Sequence, residues 1–84
     1  MVNKNEVFIE NLSKFAIKNK QDVVNSTLCS CYYCLKVFDS NEVTKWIDNS
    51  ETAICPYCQI DSVVPFELRM DFLEKANEYW FGIS

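Results

Sequence analysis

A chain of 84 residues with 49% apolar and 14% aromatic side chains is too hydrophobic for disorder and too short for more than one small domain. Its net charge of -4, with 8 basic residues spread along the chain and only Lys14, Lys18 and Lys20 close together, makes nucleic acid an unexpected partner. No apolar run approaches the ~18 residues of a membrane span, so no membrane contact is expected, and the polar start Met1-Val2-Asn3-Lys4-Asn5-Glu6 does not read as a secretory signal; a cytoplasmic protein is expected.

Residues 1–84 read as one metal-binding domain, with an N-terminal helix within 1–27, a metal-binding lobe at 28–64 and a C-terminal helix within 65–84. Over residues 5–19, Phe8, Leu12, Phe15 and Ala16 recur at helical spacing while Glu10, Lys14 and Lys18 fall on the other side, which predicts an amphipathic helix. Val23 lies on the same stripe, extending the expected helix toward Asn25 before Ser26 and Thr27 interrupt it. A helix lying on a membrane surface is the alternative, disfavoured by its moderate charge and an apolar face without tryptophan.

Two Cys-x-x-Cys pairs follow, Cys31-Tyr32-Tyr33-Cys34 and Cys55-Pro56-Tyr57-Cys58, separated by 20 residues. Leu35-Lys36-Val37-Phe38 reads as a short strand, and Asp39-Ser40-Asn41-Glu42 as the capped start of a short middle helix that puts Val43, Trp46 and Ile47 on one face and ends near Asp48. Thr52-Ala53-Ile54 and the run from Ile60 to Val64 flank the second pair as β-prone segments, predicting a small hairpin that carries it. From Pro65 to Phe81 the pattern is helical, with Gly82 just past the end. Glu67, Asp71, Glu74 and Glu78 form a narrow acidic stripe, and Phe66, Leu68, Met70, Phe72, Leu73, Ala76, Tyr79, Trp80 and Phe81 take most of the circumference. So wide an apolar face is hard to bury in a chain this size, which points to a protein partner or a homodimer.

The paired cysteines define the chemistry. Each pair can turn both sulfurs toward one ion, and two such turns complete a tetrahedron around zinc at the ~15 to 20 residue spacing of four-thiolate sites. The expected ligands of one structural Zn2+ are Cys31, Cys34, Cys55 and Cys58, in a small α+β fold of zinc-ribbon or treble-clef-like type with short β-hairpins. A disulfide framework is disfavoured by the odd count of 5 cysteines, and a thioredoxin-like site needs only one pair. Rubredoxin-like iron suits the same four sulfurs and stays open. Cys29 is the spare thiol, with no positive neighbour in sequence to make it reactive.

Catalysis has little to work with. The chain has no histidine and 1 glycine, its metal positions are all cysteine, and Asp61 or Glu42 would be an isolated carboxylate, so no enzyme is expected.

The order Cys29-Ser30-Cys31-Tyr32-Tyr33-Cys34-Leu35-Lys36-Val37-Phe38, Glu42-Val43, Trp46-Ile47-Asp48, Thr52 through Cys58, Ile60 through Val63 and Glu78-Tyr79-Trp80-Phe81, with Phe15 through Asn19 ahead of it, resembles a family of small, largely uncharacterised bacterial cytoplasmic proteins. The resemblance covers most of the chain and implies a cytosolic zinc-ribbon-like protein without an established activity. The chain departs from that family at Gln59, where the family has glycine, and in a shorter connection before the last helix.

The preferred function is a non-catalytic protein-binding module or regulator in which zinc fixes the fold. The last helix or the tyrosines Tyr32, Tyr33 and Tyr57, whose places in the metal turns point outward, would meet the partner. Those tyrosines can equally cover the metal sulfurs from water. A transcription-associated nucleic-acid-binding ribbon stacking bases on them is the alternative, with a rubredoxin-like iron electron carrier third.

Overall fold

The computed structural model describes residues 8–82. The expected helix start at residues 5–7 lies outside the described residues, as do residues 83 and 84 of the C-terminal span.

The centre of the fold is a three-stranded antiparallel sheet in the order β2-β1-β5, formed by β1 (Leu28–Cys31), β2 (Val37–Asp39) and β5 (Val63–Val64). Cys29 pairs with Phe38, and Cys31 with Val63. Because successive strand side chains alternate, Cys29, Cys31, Phe38 and Val63 enter one core with Val23, Val43, Ala53 and Cys55. Val64 and the residue after β1, Tyr32, enter a second core with Ile9, Leu12, Leu73 and Ala76. The sheet thus separates a sulfur-rich core from an aromatic, helical one.

The N-terminal apolar stripe does not form the continuous helix that its spacing predicts. Helical backbone at residues 8–10 and α1 (Leu12–Phe15) is followed by a break, and α2 (Lys20–Val24) runs separately, burying Val23 in the sulfur-rich core. The cause is Asn19, which is 2% exposed. Its amide donates to the Phe15 carbonyl (2.8 Å), the acceptor that a continuing helix would assign to the Asn19 backbone N–H. The same amide donates to the Val63 carbonyl (2.9 Å), and its oxygen accepts from the Ala53 N–H (3.2 Å). Lys18 turns left-handed at φ 48°, and its N–H donates to the Thr52 hydroxyl. Phe15 is left 41% exposed, while Leu12 and Ala16 are buried as the stripe predicts.

The middle helix is also corrected. The Asp39 N–H donates to the Glu42 carboxylate (3.0 Å), as a capped start requires, but only one 3-10 turn forms at Ser40–Glu42. Val43 is extended, and Trp46 and Ile47 form β3 (Trp46–Ile47), paired antiparallel with β4 (Thr52–Ala53). The β-branched Val43 and Thr44 follow the turn directly and favour extended backbone. The second cysteine pair therefore sits on no hairpin of its own: β4, before it, pairs with β3, and β5, after it, pairs with β1. That turn joins the two sheets.

The last helix is α3 (Met70–Phe81), starting five residues later than expected. Before it, the buried Ser30 hydroxyl donates to the Phe66 carbonyl and accepts from the Leu68 N–H, both at 2.8 Å, holding the segment after Pro65 away from helical pairing. Gly82 ends the helix at φ 62°, its N–H on the Glu78 carbonyl, a left-handed cap that suits glycine. Leu73 and Ala76 are fully buried and Phe72 and Trp80 partly so, whereas Met70 and Tyr79 remain more than half exposed. The acidic residues Glu67, Asp71, Glu74 and Glu78 are all exposed. Among the described residues no helix is long and apolar enough to cross a membrane.

Candidate metal centre

The two Cys-x-x-Cys segments build the same turn twice. The Cys31 N–H donates to the Lys36 carbonyl (2.9 Å) and the Leu35 N–H to the Cys31 carbonyl (2.9 Å); in the second turn Cys55 N–H meets the Ile60 carbonyl and Gln59 N–H the Cys55 carbonyl, both at 3.0 Å. These bonds fold each pair so that both sulfurs face the same way. The tightness is achieved with positive φ at Leu35 and Gln59, the residue after each second cysteine.

The turns bring the sulfurs of Cys31, Cys34, Cys55 and Cys58 within 4.8 Å of one another. Cys31 and Cys58 are 3.6 Å apart and Cys34 and Cys55 3.7 Å, too far for a disulfide at ~2.05 Å. They match the edge of about 3.8 Å expected for a tetrahedron with metal–sulfur bonds of ~2.3 Å. Cys31 and Cys55 are buried, and Cys34 and Cys58 are partly exposed, so the cluster has a deep side and a side near solvent.

Polar groups outside the four sulfurs tune them. The buried Ser62 hydroxyl lies 3.1 Å from the Cys31 sulfur, and the Tyr57 N–H donates to the Cys55 sulfur at 3.4 Å. In the absence of metal, a hydrogen bond from the Cys55 thiol, joined by Ser62 and backbone amides against the cost of burial, brings Cys31 down to about 5. Cys55, the donor of that bond, is pushed up, and burial puts Cys58 up to about 11. Without a metal the charge settles on Cys31 while Cys55 and Cys58 keep their protons, and ionising those thiols beside it calls for a cation.

Cys29 lies outside this group of four. It is buried with its sulfur 3.4 Å from the Ser26 hydroxyl, and burial raises its pKa, which suits a packed thiol. The tyrosines divide. Tyr32 is buried, against expectation, because it directly follows β1 and its ring turns into the helical core beside Trp80 and Phe81. Burial, with the negative charges of Asp61 and Cys31, pushes it up to about 12. Tyr33 and Tyr57 are exposed. Tyr57 donates its hydroxyl to Glu42, whose other oxygen holds the Asp39 N–H, so Glu42 links the second metal turn to the end of β2. Asp61 is exposed.

Two residues at this site have little sequence signal. Ser62 follows Asp61 as the second polar residue of the run from Ile60 to Val64, and nothing else in the sequence marks it. Asn77 lies in α3 and donates from its side-chain amide to the carbonyls of Tyr33 (2.8 Å) and Tyr32 (3.3 Å), bracing the back of the first metal turn.

The fold and site define a small α+β domain with two antiparallel sheets and a four-cysteine cluster. Comparison of the chain with known protein families, characterised proteins and solved structures finds no match. The likeness to the bacterial four-cysteine family rests on the residue pattern alone.

Proposed function

We propose that the chain is a non-catalytic, cytosolic zinc-binding module of zinc-ribbon or treble-clef-like type, in which Zn2+ on Cys31, Cys34, Cys55 and Cys58 is structural and the exposed side of α3 engages a protein. The observation that carries this reading is the all-sulfur donor set at tetrahedral spacing. Four protein ligands close the coordination sphere and leave no position for water or substrate, the arrangement of structural zinc. A metal that joins two small sheets contributes directly to folding in a chain of 84 residues. Partner binding is supported by Met70 and Tyr79, which stand on α3 with more than half their surface in solvent beside exposed acidic residues. A second copy of the chain would meet that face in a homodimer.

Elemental analysis of protein purified without chelator tests the metal, with one zinc per chain expected. A red protein with iron in its place would assign the rubredoxin-type alternative, and protein without metal would overturn the site. Light scattering of the wild type and of Tyr79→Asp tests self-association through the helix face. A larger species lost in the variant, with zinc content and helicity kept, supports a dimer. If the wild type is monomeric, binding to a defined partner must be lost in Tyr79→Asp for the surface reading to stand. Binding of single-stranded nucleic acid at physiological salt would instead favour the ribbon that reads bases.

A further inference from the structure

A cavity of about 270 Å3 opens to solvent between the N-terminal segment, the first metal turn and the end of α3. Three of its walls are aromatic, from Tyr32, Trp80 and Phe81, and two hydroxyl residues, Ser13 and Ser62, also line it. Among the described residues Asp61 is the one charged member of the lining; the rest is alanine and isoleucine, and neither lysine nor arginine takes part.

The walls are held in place before any ligand arrives. Trp80 donates its indole N–H to the Ile9 carbonyl at 2.8 Å, which fixes the ring. Tyr32 is anchored through its N–H on the Ser62 carbonyl at 3.2 Å, and its ring centroid lies 6.5 Å from Trp80 and 5.8 Å from Phe81.

This composition selects by charge and by shape. Aromatic faces carry negative electrostatic potential and attract a cation, most strongly one with a weakly held water shell. The carboxylate of Asp61 adds to that attraction and opposes an anion. An ammonium bearing free N–H groups would draw on Asp61 and the Ser13 hydroxyl, with the Ser62 hydroxyl already set against the Cys31 sulfur, whereas alkyl groups on nitrogen fit the aliphatic and aromatic remainder of the lining without acceptors. We propose that this cavity binds a quaternary or alkylated ammonium group, with Tyr32, Trp80 and Phe81 as its aromatic walls and Asp61 as its counter-ion. The inference goes beyond the structural-metal reading and uses neither Met70 nor Tyr79, the α3 residues on which the partner-binding reading rests.

The test is a nitrogen-edited NMR titration of the zinc-loaded full chain. One arm adds tetramethylammonium, a second adds a short peptide carrying trimethyllysine, and a control adds the neutral compound in which carbon replaces the quaternary nitrogen. Saturable shifts of the Trp80 indole and of the Tyr32 and Ser62 amides are expected with the cations. Tighter binding of the peptide identifies a modified protein side chain as the source, and tighter binding of tetramethylammonium a free small cation. Asp61→Asn, an exposed position, should weaken binding about fivefold with zinc content and helicity unchanged. Equal binding of the neutral isostere, no shift with either cation, or undiminished binding by Asp61→Asn would overturn the proposal. Zinc content, read on the same samples, reports separately on the metal centre.

Discussion

Leu35 and Gln59 stand at the same place in the two metal turns, one residue past the second cysteine, and share a left-handed backbone with φ of 66° and 67°. Neither residue type favours that conformation, but their side chains differ in what they do. Gln59 is exposed and accepts from the Lys45 ammonium, while Leu35 packs against the helical core. Gln59→Gly should therefore stabilise the zinc-loaded protein by about 0.5–1 kcal/mol, since a left-handed non-glycine costs ~1–2 kcal/mol and the greater freedom of glycine in the unfolded chain offsets part of the gain. Leu35→Gly should destabilise it, because lost packing outweighs relief of the backbone. Urea unfolding of the pair checks both signs, and a loss of stability in Gln59→Gly would contradict the argument.

Asn19→Ala should cost about 3 kcal/mol, because it leaves the Val63 carbonyl and the Ala53 N–H without their partner in a buried setting and the Phe15 carbonyl without its partner in a half-buried one. Chemical denaturation measures this. A cost below about 1 kcal/mol would mean that water or a lengthened helix replaces the side chain.

Ser62→Ala should weaken zinc binding by about tenfold, in the range found when a group supporting a metal ligand is removed. The lost contact is the 3.1 Å approach of its hydroxyl to the Cys31 sulfur. Competition with a chelator gives the affinity, and unchanged helicity of the zinc-loaded variant separates tuning from unfolding.

Cys31→Ser and Cys55→Ser should lose zinc and most of the fold, since metal binding and folding are coupled at such sites. Cys29→Ala should keep one zinc per chain and lose only about 1 kcal/mol of packing. Zinc loss by Cys29→Ala equal to that of Cys31→Ser would place Cys29 among the ligands.

Zinc affinity should rise with pH. At neutral pH the metal-free cluster keeps the protons of Cys55, raised by its hydrogen bond to Cys31, and of Cys58, raised by burial to about 11, while Cys31 is held near 5. Zn2+ must displace both retained protons, so the logarithm of its apparent affinity should climb by about two or more per pH unit through neutrality. Chelator competition at several pH values checks the slope. A flat profile would show that the cluster is already fully ionised.

The four-cysteine cluster was legible because paired cysteines impose local geometry: three positions of spacing bring two sulfurs together with little help from the rest of the chain. The helical periodicity of residues 70–81 and the stop at Gly82 were legible for the same reason. Failures occurred where a distant side chain competed for backbone groups. Asn19 breaks the N-terminal helix by reaching Ala53 and Val63, and Ser30 delays α3 by taking the carbonyl of Phe66 and the N–H of Leu68. Trp46 and Ile47 have helical spacing from Val43, but their pairing with Ala53 and Thr52 decides the strand. Tyr32 was misplaced because a metal turn seen alone shows no neighbouring core, whereas α3 supplies one.

The grip of Asn77 on Tyr32 and Tyr33 ties the last helix to the sulfur cluster. A helix of 12 residues without a side-chain N-cap is marginal by itself. Its persistence depends on docking, and part of what it docks on is the outward backbone of a turn that Cys31 and Cys34 fold. Opening of that turn releases the helix's acceptors, so unwinding at the C-terminal end and loosening of the sulfurs belong to one cooperative unit. By the same linkage, a metal held by the four sulfurs would steady the surface that α3 presents, and a contact made on α3 would be felt at the turn.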